Sequence, residues 1–240
     1  MIDKIVASAR EAMQDVQDGA TVMIGGFGTA GLPSELIDAL IDRGAKDLTI
    51  VNNNAGNGET GLAALLKARR VRKILCSFPR QIDSHHFDAL YRAGEIELEL
   101  VPQGNLAERI RAAGAGIGAF YTPTGYATDL ARGKETRMID GRGYVLEYPI
   151  HADVALIKAE RADRWGNLVY RMTARNFNPM MASAAALTVA EVESLVEPGQ
   201  IDPDHIITPG IFVDRIVVLD KTDKRIEQRT VRRRPAQVEE

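Results

Sequence analysis

The stretch Thr21-Val22-Met23-Ile24-Gly25-Gly26-Phe27-Gly28-Thr29-Ala30-Gly31-Leu32-Pro33 decides the architecture. Its first four residues are an apolar run of strand length, and Gly25 to Gly31 is a glycine-rich loop. Pro33 stands where a helix begins, because its fixed φ and missing N–H suit the first helical turn. Downstream, Leu36, Ile37 and Leu40 give that helix an apolar face ending near Gly44, and Leu48-Thr49-Ile50-Val51 is a second short strand closed by Asn52-Asn53-Asn54. Strand, loop, helix, strand begins a parallel α/β sheet. Upstream, Ile5, Val6, Ala9 and Met13 recur at helical spacing and predict a helix that Asp18-Gly19 separates from the strand.

The alternation continues with a helix around Leu62 to Ala68, a strand Lys73 to Cys76 and a helix around Phe87 to Tyr91. Glu95-Ile96-Glu97-Leu98-Glu99-Leu100 alternates strictly, which predicts a strand with one wet face. Asn105 and Glu108 have capping-box spacing for a helix through Ile110. From about Arg137 short β-like runs dominate: Tyr144 to Glu147, Val154 to Lys158, Leu168 to Arg171, Leu187 to Val192 and Ile211 to Leu219. The expected fold is therefore α/β, an open mainly parallel sheet flanked by helices, with a strand-rich second half. No low-complexity linker divides the chain, so residues 1–220 are read as one domain. The segment 221–240 holds seven basic against four acidic residues and reads as a solvated, flexible basic tail.

Composition narrows the function classes. With 240 residues, 45% hydrophobic and 26% charged, the chain can bury a full core without disulfides or metal staples. A net charge of -3 argues against a nucleic-acid partner for the body of the protein, leaving only the arginine-rich tail as a possible contact arm. The single cysteine, Cys76, excludes an internal disulfide and suits a reducing compartment. Neither an export signal at the N-terminus nor an apolar run of membrane-spanning length is found, so a soluble cytoplasmic protein with no membrane partner is expected.

Gly26-Phe27-Gly28-Thr29-Ala30-Gly31 fits G-x-G-x-x-G between a strand and a helix, the setting in which backbone amides cradle phosphate. A dinucleotide site also wants an acid about 20 residues on to hold a ribose hydroxyl. Val51 and Asn52 stand there, with no acid from that point until Glu59. An NAD-binding oxidoreductase, another phosphate-bearing cofactor and a plain tight turn all stay open on this motif. The run Asn52 to Gly58 follows a strand end, where its amides either donate to a carboxylate or thioester oxygen or form Asx-turns. Gln103, between Pro102 and Gly104, occupies the comparable place after the next strand and is either a neutral oxyanion donor or a turn residue. His85 and His86 sit at a helix start, and His151 and His205 are isolated near Asp153 and Asp204. None has metal-ligand spacing or a Ser or Cys partner pattern, so surface or capping roles and no metal are expected. Cys76 lies in an apolar strand and reads as core; no acid stands in a recognisable nucleophile setting.

One pattern is more specific. Asp18-Gly19, two free positions, Val22-Met23-Ile24, Gly25-Gly26-Phe27, three free positions, Gly31, one free position and Pro33 resembles the N-terminal signature of the class I 3-oxoacid CoA-transferases. The resemblance continues through Asn53 to Gly56, Pro102 to Arg111, Phe120 to Tyr126 and Ala174 to Asn178, and reaches about residue 219. It is to the A-type of the family's two subunits. Asn52 to Gly61 with Ser77 to Gln81 resemble the 3-oxoadipate enzymes more than those for acetoacetate, the succinyl-CoA:acetoacetate type being the alternative. The resemblance implies an open α/β fold related to ribose-phosphate isomerases and an active site shared with a B-type partner. The nucleophilic glutamate would lie in that partner's Ser-Glu-Asn-Gly motif, a tetrapeptide this chain lacks. It further implies CoA transfer from succinyl-CoA to a 3-oxo acid through a glutamyl-CoA thioester, with coenzyme A thioester as substrate, no tightly bound cofactor and no metal. By carry-over, Gln103 supports the oxyanion, the loop Ile24, Gly25, Gly26, Phe27, Gly28, Thr29 and Ala30 contacts CoA, and Asn52 and Asn53 wall the acyl site. The implied assembly is an A2B2 heterotetramer.

Overall fold

A computed structural model describes residues 2–219. The expected basic tail, 221–240, lies outside the described residues. In chain order the elements are α1 (Ala9–Ala12), β1 (Thr21–Ile24), α2 (Ser34–Arg43), β2 (Leu48–Val51), α3 (Leu62–Lys67), β3 (Val71–Cys76), α4 (His85–Arg92), β4 (Glu97–Leu100) and α5 (Gln103–Gly114). There follow β5 (Phe120–Thr122), β6 (Thr136–Ile139), β7 (Arg142–Glu147), β8 (Ala152–Asp163), β9 (Leu168–Val169), α6 (Asn178–Ala182), β10 (Ala185–Val196) and β11 (Arg215–Val218). The large sheet runs β11-β10-β8-β1-β2-β3-β4, with every neighbouring pair parallel. Among the described residues β9 alone joins it antiparallel, against β8, and β5-β7-β6 make a separate antiparallel sheet.

Strand residues alternate between two apolar layers, as the period of two in a strand requires. Val22, Ile24, Ile50, Ile74 and Leu156 pack on one face with Leu36, Ile37 and Leu40 of α2, Leu62, Leu65 and Leu66 of α3, and Phe87 and Leu90 of α4. Met23, Val51, Leu75, Ala155 and Ile157 pack on the other with Leu106 and Ile110 of α5 and Met181 of α6. Burial on both faces is why these strands read as unbroken apolar runs. From β1 the chain builds outward first through β2, β3 and β4, then returns to place β8 on the opposite side of β1. That reversal opens a crevice beyond the strand C-terminal ends, where open α/β sheets hold ligands.

Several expectations need correction. Ile5 is not helical: it bridges Ile216 in parallel, while Val6 donates to the Ile216 carbonyl at 2.9 Å. Ser8 accepts from the Glu11 amide as N-cap and restricts the helix to Ala9–Ala12, so the β-branched residues before it extend the sheet edge instead. Asn105 is not a cap. Helix α5 already starts at Gln103 behind Pro102, and Asn105 is buried, donating to Glu147 Oε1 at 3.2 Å and the Thr124 carbonyl at 3.3 Å. Glu108 instead holds Arg111. In β4, the strand that ends the sheet, Leu98 is half-buried but Leu100 is exposed. The second half is strand-rich as expected, with β8 and β10 of 12 residues each, longer than their apolar runs suggested.

Candidate active site

The glycine loop leaves β1 under close restraint. A Cβ on Gly25 would lie 1.8 Å from Asn178 Oδ1, and one on Gly31, whose φ is +70, would lie 2.3 Å from the Ala174 carbonyl. Only glycine fits such approaches. Asn176 accepts from the Gly26 amide at 3.1 Å and donates to the Ala30 carbonyl at 2.9 Å; Asn178 donates to the Gly31 carbonyl at 3.1 Å and accepts from the Lys158 amide at 3.0 Å. Two side chains nearly 150 positions away thus fix the loop. Within it, Phe27 and Ala30 exchange backbone hydrogen bonds at 3.0 and 3.2 Å, a tight turn with Phe27 half exposed at its shoulder.

This geometry removes the dinucleotide reading of G-x-G-x-x-G. The amides of Gly25, Gly26, Phe27 and Ala30 already have protein acceptors. The N-terminus of α2, which would face a pyrophosphate, is filled by the buried Glu191 carboxylate, which accepts from the amides of Leu36, at 3.2 Å, and Glu35. Burial pushes the Glu191 carboxyl up, against the opposing pull of Lys158 Nζ at 3.0 Å and the two amides. A phosphate brought here would meet amides already taken by the Glu191 side chain, where a Rossmann site offers free N–H groups.

After β2 the three asparagines take different tasks. Asn52 is wholly buried, donates to the Ile24 carbonyl at 2.6 Å and accepts from the Asn54 amide at 2.9 Å, so it ties the ends of β1 and β2 together. Asn53 Oδ1 accepts from Ser77 Oγ at 2.7 Å and from Gln103 Nε2 at 2.8 Å. Asn54 accepts from the Gly56 amide at 2.8 Å, while its Nδ2, shielded from solvent, has no hydrogen-bond partner. Gln103 is the first residue of α5 and its side chain is exposed, so its carboxamide stands at a helix N-terminus with one N–H on Asn53. The arrangement offers neutral donors and the positive end of a helix to an oxygen developing charge.

A cavity of about 390 Å³ lies beside these loops. Gly28 to Leu32 form one wall, Asn54, Gly56, Asn57 and Thr60 a second, and Lys158, Glu160, Arg171 and Thr173 a third. Asn53 and Gln103 stand outside this lining, Asn53 next in chain to Asn54 and Gln103 joined to Asn53 by its hydrogen bond. Asn176 and Asn178 carry no local signal of their positioning role: both stand inside a matched segment, but their partners in the glycine loop are far away in the chain.

Other candidates settle readily. Cys76 is buried and its thiol is pushed up to about 12 by burial, so it is a core residue rather than a nucleophile. His85 and His86 do not cap α4; both reach Glu59, at 2.7 and 3.1 Å. Among the described residues no helix is long and apolar enough to cross a membrane.

The family model described as coenzyme A transferase matches residues 6–219. The chain belongs to the coenzyme A transferase family. It is 68% identical over 219 residues to the A-type subunit of 3-oxoadipate CoA-transferase from Pseudomonas putida, covering 91% of this chain and 95% of that one. With the corresponding 3-oxoadipate CoA-transferase subunit of Acinetobacter baylyi it shares 63% over 222 residues, 92% of this chain and 97% of that one. The A-type subunit of a probable succinyl-CoA:3-ketoacid coenzyme A transferase from Bacillus subtilis is 50% identical over 95% of both chains. Among solved structures, an acyl-CoA transferase of E. coli O157:H7, in a thioester complex with CoA, superposes with a TM-score of 0.79 at 21% identity, over 94% of this chain and 49% of that one. Glutaconate CoA-transferase of Acidaminococcus fermentans does so with a TM-score of 0.77 at 19% identity, over 90% of this chain and 75% of that one. At these identities the structural likeness establishes the fold.

Proposed function

We propose that this chain is the A-type half of a heteromeric CoA-transferase that moves CoA from succinyl-CoA to 3-oxoadipate, with the nucleophilic glutamate supplied by a B-type partner. The observation that carries the reading is the 68% identity to the matching component of a 3-oxoadipate CoA-transferase across 91% of the chain. The expected assembly is A2B2, in the cytoplasm, with CoA thioesters as substrates and no resident cofactor.

In this reading the partner's carboxylate adds to the succinyl-CoA carbonyl, and the tetrahedral oxyanion collapses by expelling CoA thiolate to give a mixed anhydride. The thiolate then attacks the glutamyl carbonyl, releasing succinate and leaving the glutamyl-CoA thioester. The 3-oxo acid carboxylate repeats the sequence in reverse order, and the glutamate is regenerated without net proton transfer. Each addition creates an oxyanion, and Gln103 is the group of this chain assigned to it: Asn53 holds the carboxamide in place, and the second Nε2 proton and the α5 N-terminus face the charge. The Ile24 to Ala30 turn is assigned to CoA, with the exposed Phe27 and its glycines at the contact, since Ile24 itself is buried in β1. Asn53 reaches the acyl site through Gln103, and Asn54 stands in the cavity wall and shapes the turn by accepting from the Gly56 amide. Asn52, wholly buried, acts by holding the strand ends.

A second reading, with acetoacetate as the 3-oxo acid acceptor, is kept because relatives at 50% and 55% identity are named for 3-ketoacids in general. Both acceptors are assayed with the chain mixed with its B-type partner, following acyl-CoA formation. The proposal predicts no transfer by this chain alone, transfer after mixing, and a higher kcat/KM for 3-oxoadipate. Higher kcat/KM for acetoacetate would move the chain to the second reading.

A further inference from the structure

A cluster outside the candidate active site has metal-binding chemistry. Glu59 lies in the turn Gly58 to Gly61 before α3, and His85 and His86 open α4; one ligand atom from each falls within 4.8 Å of the other two. Glu59 Oε1 stands 2.7 Å from His85 Nε2, and Oε2 stands 3.1 Å from His86 Nε2. His86 Nε2 is shielded from solvent and makes no well-formed hydrogen bond, so its lone pair or proton is poorly satisfied by the protein alone. The two rings lie 4.2 Å apart and are tilted by 49°, which points both nitrogens at one carboxylate rather than stacking the imidazoles face to face. The sequence concealed the set because the carboxylate comes from a loop 26 residues before the first histidine.

We propose that Glu59, His85 and His86 form a binding site for a zinc-type divalent transition metal. Imidazole nitrogens with one carboxylate suit zinc and its borderline neighbours. At Zn–N and Zn–O lengths of about 2.0–2.2 Å, ligands at the tetrahedral angle lie about 3.4 Å apart. The atoms here need only small side-chain adjustments to reach that spacing, and solvent takes the fourth position. Lys67 Nζ, 2.8 Å from Glu59 Oε2, is the competing cation; its side chain is 61% exposed and an exposed pair of this kind gives way easily. The metal would staple the Gly58 to Gly61 turn to α4. That turn already leans on the segment before α4, through Gly58 N–H to the Asp83 carbonyl at 3.0 Å and Asp83 N–H to Asn57 Oδ1 at 2.8 Å. Gly56, Asn57 and Thr60 of the same region line the large cavity, so the staple would stiffen its wall.

The full-length chain is titrated with Co²⁺ and watched for visible ligand-field absorption, then with Zn²⁺ as competitor. The site predicts a tetrahedral-type band that saturates at one metal per chain, loss of the band on adding Zn²⁺, and a rise in Tm with Zn²⁺. The double variant His85→Ala with His86→Ala, and Glu59→Gln, should lose both signals, while Lys67→Met should bind several-fold tighter. The chain has four histidines, and His151 and His205 belong to no such group among the described residues, so background from imidazole is small. No band and no Tm shift at excess metal in the unaltered chain, or a band that persists in the double variant, would overturn the proposal. The gain with Lys67→Met is read independently of any folding defect in the ligand variants.

Discussion

Gln103 reaches its place through a short chain of contacts. Pro102 starts α5, the helix sets the side chain at its N-terminus, and Asn53, itself gripped by Ser77, fixes the carboxamide. If this amide meets the oxyanion, Gln103→Ala assembled with the B-type partner should lose about 2.7–4 kcal/mol of transition-state stabilisation. That is a fall of roughly a hundred- to a thousand-fold in kcat/KM. Elution as the heteromer should be unchanged, and unaltered turnover would remove Gln103 from the mechanism. Cys76 provides a second expectation. With its thiol buried and pushed up to about 12, essentially no thiolate exists at neutral pH, so a thiol reagent should react only after denaturation. Rapid labelling of the folded chain would contradict its placement. Cys76 was legible as core from its apolar run, and the place of Gln103 beyond a strand end from its neighbours, while its part in catalysis is what the variant tests. Asn176 and Asn178 were not, because their work is done on Gly26, Ala30 and Gly31 and is invisible to local pattern.

At the scale of elements, the glycine loop is a tightly packed object held between α6 and β1. Gly25→Ala forces a Cβ onto Asn178 and should destabilise by about 1–3 kcal/mol, the range for overpacking, seen as a lower midpoint in urea unfolding. Gly104→Ala is the contrast: its Cβ meets open space inside α5, so stability should hold or rise by about 0.5–1 kcal/mol. Equal losses in the two variants would refute the packing argument. The β3, β4 and α5 edge carries an electrostatic signature. Partial burial raises the Glu99 carboxyl, but Lys73 at 2.9 Å and Arg109 at 3.0 Å outweigh it and leave the group below its ordinary value of 4.5. A depressed acid contributes stability above its unfolded value and loses it as pH falls through the folded one. Unfolding midpoints of Glu99→Gln should therefore lie below those of the unaltered chain at neutral pH and converge with them below pH 4.5; a gap that persists in acid would mean a packing effect. Strands buried on both faces were legible because burial writes a continuous apolar run. Helix starts were less so: Ile5 and Val6 have helical spacing but serve the sheet edge, and Asn105 has cap spacing but lies inside a helix that Pro102 had already begun.

At the scale of the molecule, two apolar layers clamp one parallel sheet, and the candidate site gathers at the ends of β1, β2, β3 and β8 where the strand order reverses. The chain folds around a set of neutral donors, a glycine turn and a cavity, and its one thiol is buried. The order of the sheet was only half legible: the run from β1 to β4 follows from alternating strand and helix, but the return of β8 to the far side of β1 depends on contacts across the whole chain. The proposed division of labour gives this chain the oxyanion donor and a B-type partner the nucleophile. Its most direct test is intact-protein mass spectrometry of the heteromer after incubation with succinyl-CoA and no acceptor acid. A CoA thioester adduct is expected on the B-type partner, removed by 3-oxoadipate, with the mass of this chain unchanged; a CoA adduct on this chain instead would overturn that division.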